Sequence, residues 1–143
     1  MKNTVDKITL LPRYHVLHNS EFPMLIVGKN ILGDYLIASF LEEDEDLGKL
    51  KYFHVFANDE LLLKFLKGTH SYLDVMRGAK EIFLVEKSYN YTILSFKEMV
   101  FSDLARDMLP LKSSFFPSSN TILLANLEKR IKTNTIPLLL SNC

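Results

Sequence analysis

Residues 51–96 read KYFHVFANDELLLKFLKGTHSYLDVMRGAKEIFLVEKSYNYTILSF, and this stretch decides the fold. Residues 51–57 are rich in aromatic and β-branched side chains, which suit a strand. The period then changes from two to three or four. Asn58 is a good N-cap, and Asp59 and Glu60 suit the positive first turn of a helix. Leu61, Leu62, Phe65 and Leu66 form one apolar stripe, and Gly68 predicts a left-handed helix end. Ser71 and Asp74 have the spacing of a capping box for a second short helix. Leu73, Val75 and Met76 supply its apolar contacts and Gly78 its stop. Neither helix is long enough to stand alone, so both must pack on a sheet. Ile82-Phe83-Leu84-Val85 predicts a strand apolar on both faces. Residues 87–90 predict a turn and residues 91–94 the returning strand.

Upstream, residues 8–17 are rich in strand formers, with Pro12 placing them at an edge or bend. Residues 19–21 predict a turn, and residues 22–27 a buried strand closed by Gly28. Lys29-Asn30 is a tight turn, with Gly33-Asp34 as another candidate, before a strand over 35–40. The acidic run Glu42-Glu43-Asp44-Glu45-Asp46 reads as a solvated hairpin loop. Consecutive carboxylates lack the alternating spacing and the glycine of a calcium loop. Successive strands joined by short turns predict an antiparallel meander.

Downstream, Ser95 and Glu98 have capping spacing, which predicts a helix over 97–108 stopped by Pro110; residues 107–110 could equally form an extended corner. Residues 113–119 have linker polarity around Phe115 and Phe116. Residues 121–132 predict an amphipathic helix, with Leu124, Leu127 and Ile131 on one side and Glu128, Lys129 and Lys132 on another. The apolar run Ile136-Pro137-Leu138-Leu139-Leu140 follows. The expected fold is α+β: an antiparallel sheet of five or six strands, short helices packed on one face, and a C-terminal amphipathic helix or tail. In this reading residues 1–112 are the core domain. Residues 113–143 are a tail that folds back or serves association.

The chain has 143 residues, 16 aromatics, no tryptophan and a formal net charge of zero. That length fits one domain with a real core. Nothing in this neutral balance predicts broad electrostatic attraction to nucleic acid or an anionic membrane. The charge is uneven: residues 1–109 carry a net of −3 and residues 110–143 a net of +3. The lone Cys143 cannot form an internal disulfide, which suits a reducing compartment, and a terminal thiol lacks a positioned base. Residues 1–7 lack the apolar core of a signal peptide, and no apolar run approaches the roughly 20 residues needed to span a bilayer. The expected location is cytoplasmic.

His15 and His18 are three apart, and on a regular strand that spacing points them to opposite faces. His54 sits mid-strand and His70 in an interhelical turn. None forms the local pair of a zinc site. There is no Gly-x-Ser-x-Gly elbow, no His-Glu-x-x-His and no glycine-rich phosphate loop. No catalytic residue, metal ligand or cofactor is therefore assigned. Phe115, Phe116, Leu124, Leu127, Ile131, Leu138, Leu139 and Leu140 form the apolar surface expected to serve as an interface if the tail does not fold back.

The run Tyr52-Phe53-His54-Val55, Asn58 through Gly68, Tyr72-Leu73-Asp74 and Ile82-Phe83-Leu84-Val85 is similar to a family of small uncharacterised bacterial domains, as is the corner Asp107-Met108-Leu109-Pro110. The resemblance implies a strand, a leucine-rich helix, a glycine, a short helix and a hairpin, and implies no activity. The leading functional expectation is a non-enzymatic protein-binding or regulatory module, acting on a protein partner or its own copy, in a phage-defence, counter-defence or toxin–antitoxin setting. One alternative is a metal-dependent nuclease built from dispersed carboxylates. Another is a small-ligand sensor with a pocket lined from Tyr35, Tyr52, Tyr72, Tyr89 or Tyr91.

Overall fold

The computed structural model describes residues 2–12, 14–19, 23–110 and 114–141, with side chains for all of these except 2, 3, 19, 23 and 134–141. Ser20, Glu21, Phe22, Ser113 and Cys143 lie outside the described residues, as do the side chains of Leu138, Leu139 and Leu140. The protein is an α+β fold around one six-stranded antiparallel sheet. Its strands are β1 (His15–Asn19), β2 (Pro23–Lys29), β3 (Tyr35–Asp44), β4 (Lys49–Phe56), β5 (Glu81–Ser88) and β6 (Ile93–Met99), in spatial order identical to chain order. Helix α1 (Lys2–Ile8) precedes the sheet, α2 (Asp59–Leu66) and α3 (Tyr72–Arg77) join β4 to β5, and α4 (Thr121–Ser141) follows two 3-10 turns.

The local signals act as their chemistry demands. Asn58 Oδ1 accepts the Leu61 N–H at 2.8 Å and starts α2. Gly68 ends it at φ +84. Ser71 and Asp74 exchange both capping-box bonds, at 3.1 and 3.2 Å. Leu62, Phe65 and Leu66 of α2 join Tyr72, Val75 and Met76 of α3 over Leu25, Val27, Phe53, Val55 and Ile82 of the sheet. The C-terminal segment completes this core. Leu123 and Leu127 are buried in it, and Phe116 packs 6.5 Å from Phe65. Asn120 Oδ1 accepts the Leu123 N–H at 3.0 Å, which caps α4. Residues 114–133 thus fold back onto the helix face. The buried Leu127 is unavailable as an outward contact, and Phe116, Leu124 and Ile131 are half-buried.

The opposite face carries Ile26, Leu36, Ala38, Leu50, Tyr52, Phe56, Phe83 and Val85. Here α1, absent from the sequence expectation, adds the fully buried Ile8. Its last-turn carbonyls have no partner within the helix. Two side chains supply them: Asn30 Nδ2 donates to the Lys7 carbonyl at 2.8 Å, and His54 Nδ1 donates to the Ile8 carbonyl at 2.7 Å. The following chain crosses the sheet over Gly28. A Cβ there would lie 2.7 Å from Leu10 Cδ2 and 2.9 Å from Tyr14 Cβ, so only glycine admits this close approach.

Three other expectations are corrected. Residues 97–108 form no helix; residues 93–99 are the edge strand β6, and 3-10 turns follow at Phe101–Asp103 and Arg106–Met108. Ser95 caps nothing there and instead donates across the sheet to Glu86 at 2.8 Å. Three of the five acidic residues are strand: Glu42, Glu43 and Asp44 pair with Lys51, Leu50 and Lys49. Charge pairing favours this extension, with Glu42 3.1 Å from Lys51. Finally, the β5–β6 turn lies two residues later than the composition suggests, which makes Lys87 a strand residue.

Candidate functional site

The shift at Lys87 has a chemical consequence. Side chains alternate along a strand, so Lys87 joins Phe83 and Val85 on the α1 face of the sheet. On β4, Tyr52 and His54 occupy that same face. Lys87 is only 5% exposed and His54 only 1%. Both line a pocket of about 340 Å³ between α1, the chain that follows it and the β5–β6 hairpin. Its other walls are Val5, Leu10, Ile26 and Ile93, with Tyr14 and Tyr91 beside them.

His54 is fixed in one tautomer. A carbonyl only accepts, so the Ile8 bond places the proton on Nδ1 and leaves a lone pair on Nε2. Nε2 is buried and meets no hydrogen-bond partner among the described residues. Burial, with the Lys87 charge beside it, holds the imidazole well below its ordinary range, and so neutral at pH 7. A buried acceptor left without a donor costs about 1–3 kcal/mol.

Lys87 is the opposite group. Its Nζ sits 4.4 Å from the centroid of the Tyr52 ring, a cation–π contact. No carboxylate pairs with it among the described residues; neighbouring Glu86 faces the other way, towards Lys49. Burial pushes the ammonium down to about 8. Tyr91 stands at the hairpin in the left-handed region, at φ 65, a conformation that costs a non-glycine residue about 1–2 kcal/mol. Its ring lies 6.5 Å from that of Tyr52. The pocket therefore offers one cation, one uncharged acceptor and aromatic edges inside apolar walls. That combination is typical of a small-molecule site, where roughly 300–1,000 Å³ is usual.

Other hollows are larger, and two of them are internally satisfied. A cleft of about 610 Å³ is lined by Asp34, Asp59, Glu81, Lys7 and Arg130. Arg130 Nε bonds Asp59 at 2.8 Å, and Lys7 pairs with Glu81, so its central charges serve to hold α1 and α4 in place. A third hollow, of about 460 Å³, holds Ser39 and Tyr72, whose hydroxyls meet at 2.7 Å.

Of the residues expected to form an interface, Phe115 is exposed, Leu127 is buried in the core, Phe116 and Leu124 pack at its margin, and the half-buried Ile131 lines a charged cleft. The tyrosines divide between sites: Tyr91 lines the α1-face pocket, Tyr52 is buried in the core of that same face, Tyr35 and Tyr72 belong to the helix face, and the Tyr89 hydroxyl donates to Glu43 at 2.6 Å. His15 and His18 both face the C-terminal segment, because β1 is bulged between Val16 and His18. Asn120 Nδ2 donates to His15 Nδ1 at 2.8 Å, and His18 lies 6.0 Å from the Phe116 ring. Among the described residues no three His, Cys, Asp or Glu side chains are grouped to hold a metal ion, and no helix is long and apolar enough to cross a membrane. The His54–Lys87 pair was not legible as a site, because Lys87 read as a turn residue. In comparisons with known proteins the chain matches no family model, no curated protein and no solved structure.

Proposed function

We propose that the protein is a small-ligand-binding domain whose site is the pocket beneath α1. The observation that carries this reading is the convergence on one apolar cavity of two buried and chemically opposite residues, His54 with an unpartnered Nε2 and Lys87 with no carboxylate beside it among the described residues. Buried polar groups are normally satisfied, and exceptions concentrate where a ligand completes them. The same histidine holds the end of α1, whose Val5 forms a wall of the pocket. Occupancy therefore bears directly on how α1 sits. That coupling suits the regulatory role expected from the sequence, with α1 as the element a protein partner would read. For the dispersed-carboxylate nuclease, no three acidic or histidine side chains among the described residues group to hold a metal ion, and Asp59 and Glu81 of the cleft of about 610 Å³ are paired with Arg130 and Lys7. For association through the tail, Phe115 is the exposed member of the described candidate residues, since Leu127, Phe116 and Leu124 serve the chain's own core.

The experiment is a fragment screen read by amide and imidazole NMR. Hits are expected to shift His54, Thr92 and Tyr14, and to lose their effect in Thr92→Trp, which fills the exposed pocket mouth. Hits that map elsewhere, or that survive Thr92→Trp, contradict the reading.

A further inference from the structure

Resting on the pocket assignment above, we infer that the ligand is a hydroxylated monocarboxylic acid with an apolar body, its carboxylate on Lys87 and its hydroxyl on His54. Lys87 carries only donors and meets no carboxylate among the described residues, so the partner it lacks is an anionic oxygen. Charge-assisted bonds of this kind are the strong ones.

His54 presents the reverse demand. Its Nδ1 proton is committed to the Ile8 carbonyl, which leaves Nε2 as a lone-pair acceptor. A carboxylate oxygen there would set lone pair against lone pair. The ligand must therefore carry a donor beside its anion, and a hydroxyl satisfies that demand without a second charge. Among the described residues Lys87 is the one cation lining the cavity, and a single ammonium suits a monoanion. Val5, Leu10, Ile26 and Ile93, with the Tyr91 ring, demand an apolar remainder.

The test compares three probes of one skeleton by calorimetry at pH 6.5: 3-phenyllactate, 3-phenylpropanoate and 3-phenylpropanol. His54 imidazole NMR runs in parallel to locate binding. The expected order of affinity is hydroxy acid, acid, alcohol, with the acid at least about tenfold tighter than the alcohol. In Lys87→Met the acid should fall to the alcohol's affinity while the alcohol binds as before, which also shows that the variant keeps its pocket. Equal binding of acid and alcohol, both shifting His54, overturns the ligand class and leaves the pocket assignment standing. An acid preference that survives Lys87→Met overturns Lys87 as the anchor. If no probe moves His54, both the class and the pocket assignment fall.

Discussion

Replacing Lys87 by methionine should stabilise this protein, and the structure sets the size of the gain. Methionine keeps the unbranched stem and removes the buried charge. In the folded protein burial moves the Lys87 ammonium from 10.5 to about 8. At 1.36 kcal/mol per unit, holding the proton at pH 7 costs about 3 kcal/mol relative to the unfolded chain. The Tyr52 ring beneath Nζ offsets about 1–2 kcal/mol of this. Lys87→Met is therefore expected to gain about 1–2 kcal/mol at pH 7. The pH dependence has a fixed sign. Between pH 8 and 10.5 the unfolded lysine still holds a proton that the folded one has released, so native stability rises with pH and the variant's advantage shrinks. Tyr52 and Tyr72, whose phenols burial raises above their ordinary range, oppose this above about pH 10 in both proteins. The difference between variant and parent isolates Lys87. Urea unfolding followed by circular dichroism from pH 6.5 to 10 measures it. A variant less stable than the parent at pH 7, with a parallel pH profile, would show that the ammonium has a favourable partner and refute the reasoning.

Three further perturbations probe what holds the α1 face and the C-terminal segment in place. Gly28→Ala should cost about 1–3 kcal/mol by driving Leu10 and Tyr14 off the sheet, read as a lowered urea midpoint. An unchanged midpoint would mean that this crossing segment yields freely. Asn30→Ala removes the bond to the Lys7 carbonyl and the two that Asn30 Oδ1 accepts from Leu32 and Asp34. A loss of about 3 kcal/mol is expected, with faster amide exchange over residues 2–9 than elsewhere. Leu127→Ala, at a fully buried position, should cost about 2–5 kcal/mol in the intact chain and leave the solution mass unchanged; a change in mass with little loss of stability would return Leu127 to an intermolecular role.

The central part of the fold was legible because its signals are local. Asn58, Gly68 and the Ser71–Asp74 pair act within a few residues of themselves, and the alternation of β4 survives burial on both faces. What failed was context. Residues 93–99 form an edge strand whose half-buried positions recur every third residue, and Ser95 with Glu98 imitates a helix start; only the partner Glu86 reveals the strand. Helix α1 has little propensity of its own and exists through Ile8, Asn30 and His54. The pocket was hidden for the same reason. His54 and Lys87 are 33 positions apart, and their shared face depends on β5 running on to Ser88. The available signal was Phe83, Val85 and Lys87 alternating beside Tyr52 and His54, which becomes readable once the hairpin turn is moved two residues along.

The most direct measurement is a long-range proton–nitrogen NMR spectrum of the His54 imidazole, recorded alone and with 3-phenyllactate. The account predicts a neutral ring protonated on Nδ1 at pH 7, with an Nε2 signal that moves on addition of the probe as a hydrogen bond forms. A ring protonated at neutral pH, or an Nε2 signal unmoved at saturating probe, would contradict the claim that this pocket is a binding site.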